Sequence, residues 1–193
     1  DKATSAVNSY GMCKALGEKA IVEKSLYINN IKFVSVRYGN ILNSNGSIIQ
    51  ILNEQGVDPN VKHFMLTHEN MTRFVMTLEQ SVDLIEHAIL HGESGDTVIP
   101  KIVSMKVKHL IELFSEKYNK PFIVGKLRPG EKLLESLINE TQAMSMIKDD
   151  NYYYIKPPYK NICIMEQAQD YNSSMNPLSK EELKDYLTKL NLL

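Results

Sequence analysis

Tyr10-Gly11-Met12-Cys13-Lys14, set in a helical pattern and followed by the strand pattern of residues 31–37, decides how this chain is read. A tyrosine and a lysine four apart lie one helical turn apart on a single face. A neighbouring positive charge favours phenolate and lowers a tyrosine pKa. Such a pair can exchange a proton with a bound hydroxyl while the ammonium holds a second group. Tyr-x-x-x-Lys arises often by chance, so its weight depends on its surroundings. Ala6, Val7, Tyr10, Cys13, Leu16, Gly17, Ala20, Ile21 and Lys24 step at three and four, which predicts a helix over residues 5–26 with Ser5 as N-cap. Gly11, Ala15 and Gly17 permit close packing against a sheet or another helix. The plain alternative is an amphipathic helix with its tyrosine in the core. Asn29-Asn30 then turns the chain, and the β-branched and aromatic residues 31–37 predict a buried strand. It ends in Tyr38-Gly39-Asn40. Ligands of open α/β sheets sit beyond the carboxyl ends of strands, which places Asn40 to bond one; a turn asparagine is the competing reading.

Further along, Asn43-Ser44-Asn45-Gly46-Ser47 is a polar loop, with Ser47 capping a helix over residues 47–55. Backbone N–H groups at such a start favour anions, although a plain capped helix explains the pattern equally. A loop with Gly56 and Pro59 leads to a short strand over residues 63–66. His68 suits either a general base or a solvated loop. Met71-Thr72-Arg73-Phe74 leads into a helix over residues 78–91, with Thr77 as N-cap and Val82, Leu84, Ile85, Ala88 and Ile89 inward. The planar fork of Arg73 fits a phosphate or a carboxylate. His87 and His91 have a metal-ligand spacing, but no third ligand accompanies them and a helix C-terminus favours histidine anyway; no metal site is expected. A strand over residues 96–100 precedes Lys101. A helix over residues 107–118 follows, with Leu110, Ile111, Leu113 and Phe114 inward, and then a strand over 122–124. Arg128-Pro129-Gly130-Glu131-Lys132 sets Arg128 and Glu131 three apart across a turn, where they can hold a ligand's phosphate and hydroxyls or pair with each other. Helical patterns cover 132–137 and 140–147, a strand 151–155, and a final helix 180–190 is capped by Ser179.

The 193 residues suggest one domain, or one and a part. A net charge of -1 predicts no electrostatic grip on nucleic acid or an anionic membrane. No apolar run reaches the roughly 18 residues of a membrane helix, and the start lacks a basic-then-apolar signal. Cys13 and Cys163 lie far apart with no metal spacing. Reduced thiols and a cytoplasmic location are expected; Cys13 as a nucleophile is the minor alternative. The chain opens on Asp1 and lacks any Gly-x-Gly-x-x-Gly after a strand.

Asp1-Lys2-Ala3, Asn8-Ser9-Tyr10-Gly11-Met12-Cys13-Lys14, Arg37-Tyr38-Gly39-Asn40, Met71-Thr72-Arg73-Phe74, Pro100-Lys101-Ile102 and Arg128-Pro129-Gly130-Glu131-Lys132 occur in one order. In that order they resemble the inverting UDP-N-acetylglucosamine 4,6-dehydratases (5-epimerases) of polysaccharide biosynthesis, which are extended short-chain dehydrogenase/reductases. The resemblance covers nearly the whole chain. It departs at His68, where the family commonly has aspartate. It also joins the tyrosine site of the flagellin-sugar members to a tail like that of the capsular members.

The resemblance implies an α/β fold: the C-terminal part of an extended Rossmann-type short-chain dehydrogenase with a small substrate-binding lobe. Residues 1–60 would complete the dinucleotide-binding domain, 61–170 would form the lobe, and 171–193 would be a tail joining subunits of a homo-oligomer. It implies NADP (or NAD), held mostly by an N-terminal half outside this chain, and a UDP-N-acetylhexosamine substrate that loses water from C6 with inversion at C5. Lys2 would be the C5 base and Asp1 the acid at C6. Tyr10 would serve C4, and Lys14 would hold the cofactor ribose. Asn40, Arg73, Lys101, Arg128 and Glu131 would contact substrate. A UDP-sugar 4-epimerase would share Tyr10 and Lys14 without needing Asp1-Lys2. A truncated, non-catalytic binding module is the alternative of another class.

Overall fold

A computed structural model describes residues 1–160 and 169–193; Cys163 lies outside them. In chain order the elements are α1 (Ser9–Tyr27), β1 (Ser35–Val36), β2 (Asn40–Ile41), α2 (Ile48–Val57), β3 (Phe64–Leu66), β4 (Thr72–Met76), α3 (Leu78–His91), β5 (Thr97–Pro100), β6 (Ser104–Lys106), α4 (Val107–Tyr118), β7 (Phe122–Val124), β8 (Ser136–Ile138), α5 (Glu140–Ala143), β9 (Met146–Lys148), β10 (Tyr152–Ile155), β11 (Tyr171–Asn172), β12 (Pro177–Leu178) and α6 (Lys180–Lys189). The chain forms two compact units. The first comprises Asp1–Gly39, Glu79–Ile102 and Glu135–Asn172, and the second Asn40–Leu78, Val103–Leu134 and Ser173–Leu193.

In the first unit a sheet runs β1-β5-β10-β9, with β1 parallel to β5 and the other pairs antiparallel. Leu84 and Ala88 of α3 pack with Val98 of β5, and Val34, Val36 and Tyr152 close over them. Of the apolar α3 positions expected inward, Leu84 and Ala88 are buried, whereas Val82, Ile85 and Ile89 are exposed. Ser81, Leu84 and Ala88 follow one stripe at three and four, and a neighbouring residue is rotated by about 100° away from it. The strand expected over residues 31–37 narrows to β1, and Ile31 is exposed. Among the described strands β1 pairs with β5 alone, so the sheet covers it on one edge.

α1 starts later than expected. Ser5 has a φ of 48°, in the left-handed region, and cannot serve as N-cap. Asn8 takes that role, its Oδ1 accepting from Gly11 N at 2.9 Å. Residues 132–137, expected to be helical, instead lead into β8, whose three residues are all buried and pair antiparallel with β11. Long-range pairing here overrides local propensity. The helix expected over 140–147 is one turn, α5, with an Asn139–Gln142 capping box. Met146–Lys148 turns into β9 because β10 offers it a ladder.

In the second unit a sheet runs β12-β6-β4-β2, and β3 pairs parallel with β7. β4 is a strand that the sequence reading did not separate from the run before α3; four of its five residues are buried. α4 keeps its expected bounds, and Leu110, Ile111, Leu113 and Phe114 are buried. They share a core with Ile49 and Leu52 of α2 and with Leu183 and Leu187 of α6. Each such side chain contributes about 1.5–3 kcal/mol on burial. Ser179 caps α6 through a capping box with Glu182.

Candidate functional site

The first unit brings the N-terminal segment against the start of α1. The Asp1 nitrogen donates to the Tyr38 carbonyl at 3.3 Å, seating the segment past the carboxyl end of β1. Thr4 is buried and its hydroxyl donates to the Leu137 carbonyl at 3.4 Å. Gly11 lets the helix come close: a Cβ there would stand 2.6 Å from the Lys2 carbonyl oxygen. Lys2 Nζ donates to Asp1 Oδ2 at 2.8 Å and to Glu135 Oε1 at 3.2 Å. Lys14 Nζ lies 5.6 Å from the Tyr10 ring centroid, as the spacing of four requires. Asp1, Lys2, Tyr10 and Lys14 therefore line one open cavity of about 580 Å³, together with Glu18 and Arg37. Tyr10 is 61% exposed and lies outside the core, which removes the reading of it as a packed core tyrosine.

Arg37 was read as the end of a strand and as part of a family motif, with no role of its own, yet it organises this wall. Its guanidinium is 4% exposed. Nε and Nη2 clasp the two Glu18 oxygens at 2.7 and 2.5 Å. Nη1 donates to the Leu137 carbonyl at 2.7 Å and to Gln142 Oε1 at 2.9 Å. One side chain thus ties α1 to the β8–α5 segment. The signal available in the sequence was an arginine closing an otherwise apolar strand, which in a buried place must find a carboxylate.

The second unit holds Asn40, Arg73 and Glu131 along a cavity of about 400 Å³, lined also by residues 41–49 from β2 to the start of α2, and by Thr67 and Met71. The Arg73 guanidinium donates to the carbonyls of Thr72 (2.7 Å), Lys132 (2.9 Å) and Leu133 (3.3 Å), because residues 132–133 run beside β4. Ser47 precedes α2 without capping it through its side chain. The Arg128–Glu131 turn closes on itself: Arg128 N donates to Glu131 Oε2 at 3.3 Å, and Glu131 N to the Arg128 carbonyl at 3.0 Å. The Arg128 side chain is exposed. Lys101 belongs to the first unit and lines neither cavity; its Nζ donates to the carbonyls of Asp149 and Asp150 at 2.5 and 3.1 Å. His68 Nδ1 accepts from Asn70 N at 3.1 Å.

His87 is held by aromatic neighbours. Its ring stacks on Tyr152 at 3.7 Å between centroids, and Nε2 hydrogen-bonds the Tyr154 hydroxyl at 2.6 Å. That hydroxyl donates onward to Asp149 Oδ2 at 2.7 Å. Burial, and then the charge of His91, push the His87 pKa down, with Asp149 opposing them. Burial and the hydrogen bond to Asp149 push Tyr154 up. Among the described residues, no three His, Cys, Asp or Glu side chains form a group able to hold a metal.

A family model described as polysaccharide biosynthesis protein matches residues 1–157. The chain belongs to this polysaccharide biosynthesis family. It is 35% identical over 212 residues to the uncharacterized membrane protein MJ1061 of Methanocaldococcus jannaschii, covering 100% of this chain and 61% of that protein. It is 33% identical over 212 residues to a UDP-glucose 4-epimerase of Rickettsia felis (99% and 60% covered). It is also 31% identical over 186 residues to an inverting UDP-N-acetylglucosamine 4,6-dehydratase of Campylobacter jejuni (95% and 53% covered). The X-ray structure of Pen from Bacillus thuringiensis matches with a TM-score of 0.87 and 28% identity, over 99% of this chain and 60% of that one. The chain thus spans about three-fifths of the length of the curated relatives it matches. The α/β fold that the family resemblance implied, here with parallel pairs in its sheets, is that of the Rossmann-like short-chain dehydrogenase relatives of this polysaccharide biosynthesis family. No described helix is long and apolar enough to cross a membrane.

Proposed function

We propose that this chain carries the proton-transfer machinery of a nucleotide-sugar dehydratase, which removes water from C6 of UDP-N-acetylglucosamine and inverts C5. A nicotinamide cofactor, NADP or NAD, would supply oxidation at C4 and the hydride returned to C6. The donors on the first cavity fit part of such a group: the Lys14 ammonium and Tyr10 phenol suit ribose hydroxyls. The remainder of the cofactor's binding would come from chain beyond these residues.

The observation that carries the reading is the 2.8 Å contact between Lys2 Nζ and Asp1 Oδ2, on the wall that also bears Tyr10 and Lys14. Dehydration beside a C4 ketone needs a base at C5 and an acid at C6. Passing one proton from Lys2 to Asp1 produces both, an amine and a carboxylic acid. The amine then takes the C5 proton. The acid protonates the departing C6 hydroxyl, which leaves as water. Both groups thereby return to their charged forms, and once hydride has added at C6 a proton from solvent water, delivered to C5 on the opposite face, inverts it. Tyr10, acting as a phenolate beside the Lys14 ammonium, accepts the C4 hydroxyl proton and becomes the neutral phenol. Asn40, Arg73, Lys101, Arg128 and Glu131 are assigned to substrate contact on the family resemblance.

The test is product analysis in D2O with the full-length enzyme and UDP-N-acetylglucosamine. A product lighter by one water with deuterium at C5 is expected, and Lys2→Ala should abolish the C5 exchange. Unchanged exchange would remove Lys2 from the role of base. A second reading, UDP-sugar 4-epimerase, is favoured by the 33% identity to the Rickettsia protein so named. It would give an epimer of unchanged mass.

A further inference from the structure

We propose that Glu135 is the positioning residue for Lys2, a role that rests on reading Lys2 as the C5 base. Lys2 meets two carboxylates, and they differ in what they can do. Asp1 is adjacent in sequence and moves with Lys2, so their contact cannot set where the amine stands in the cavity. Glu135 is 133 positions away and can. Its side chain is 5% exposed, against 40% for Lys2. The carboxylate therefore sits behind the cavity wall while the amine reaches the opening.

Its mounting is rigid. Glu135 directly precedes β8, whose residues are buried and laddered to β11, Tyr171 against Ile138 and Asn172 against Ser136. Two residues on, the Leu137 carbonyl accepts from both Thr4 and Arg37. The Thr4 bond returns to the segment that carries Lys2, and the Arg37 bond returns through Glu18 to α1. Glu135 thus belongs to a frame fixed to the Lys2 backbone and to the Tyr10–Lys14 helix alike. A lysine side chain otherwise has many rotamers. A charge-assisted bond donated to a buried carboxylate oxygen at the start of β8 selects among them and holds Nζ against Asp1. Placing a base within reach of one carbon is the kind of positioning on which proton abstraction depends.

The experiment compares the full-length enzyme with its Glu135→Gln and Glu135→Ala variants. Gln keeps an acceptor oxygen and most of the shape, so it reports even if Ala fails to fold. The first readout needs no turnover: acetylation of each lysine by an N-hydroxysuccinimide ester, followed by peptide mass spectrometry. Lys2 should react about fivefold faster or more in the variants, matching loss of one ion pair, while Lys14 and Lys19 react at wild-type rates. The second readout separates two steps with UDP-N-acetylglucosamine and NADP. C5 deuterium exchange should fall about tenfold or more, while reduction of the nicotinamide by C4–H persists. Lys2 acetylation at the wild-type rate in both variants would overturn the proposal. So would an equal fall of exchange and nicotinamide reduction, which is the mark of general structural damage. If the wild type exchanges no C5 deuterium, the dehydratase reading fails, and the acetylation rates still decide whether Glu135 holds Lys2.

Discussion

Arg37→Met tests the frame on which both α1 and the N-terminal segment depend. The arginine is 4% exposed and Glu18 9% exposed, and they meet through two bonds of 2.7 and 2.5 Å. Methionine fills a similar volume but offers no donor. It leaves the Glu18 carboxylate behind the wall without its cation and deprives the Leu137 carbonyl and Gln142 of a partner. Breaking a buried pair by removing one member costs about 3–5 kcal/mol, a large share of the roughly 5–15 kcal/mol that holds a domain folded. Urea unfolding of the full chain, followed by far-UV circular dichroism, should register that loss as a lower midpoint at unchanged slope. Glu18→Leu should cost a similar amount for the mirror-image reason. The double variant should cost less than the sum of the singles by about 1 kcal/mol or more, since neither charge is then left alone. A loss under about 1 kcal/mol for Arg37→Met, or strict additivity in the double, would refute the reasoning. It would mean that water reaches the pair and screens it. Glu18 lies one turn beyond Lys14, so the same variant should also loosen the helix that presents Tyr10.

Two further expectations follow from particular contacts. Gly11→Ala should destabilise although alanine favours helix by about 1 kcal/mol, because its Cβ would meet the Lys2 carbonyl at 2.6 Å and crowding of that kind costs about 1–3 kcal/mol. Gly17→Ala is the control: it meets nothing within 4 Å and should stabilise, both being read from denaturant midpoints. His87 is depressed by burial first and by His91 second, so the folded state binds its proton less readily than the unfolded state. Its contribution is fully present above the ordinary imidazole value of about 6.5 and is lost as pH falls from there through the folded value. Melting temperature measured against pH should decline over that window, and His87→Gln should flatten the decline; an unchanged slope would show that other groups cause it.

Much of the site could be read along the chain because its parts are local. Tyr10 and Lys14 share a helical face through their spacing alone, and Asp1-Lys2 is a dipeptide. α4 and α6 were legible because three- and four-residue apolar steps ran between clear boundaries, Lys106 to Asn119 and Ser179 to Leu190. β8 and β9 were misread as helix because their local composition favours helix and their partners, β11 and β10, lie further along the chain. The α1 start was misplaced because serine and asparagine are both good caps, and only the backbone angle of Ser5 separates them.

What the sequence determined by itself was which groups are candidates for the chemistry, and the short-range geometry that helix periodicity imposes on them. What only the tertiary structure decided was which distant residues support them. Glu135 reaches Lys2 across 133 positions and Arg37 reaches Leu137 across 100. Periodicity carries no information over such separations, because those pairs are set by strand register and by the need of buried charges for partners.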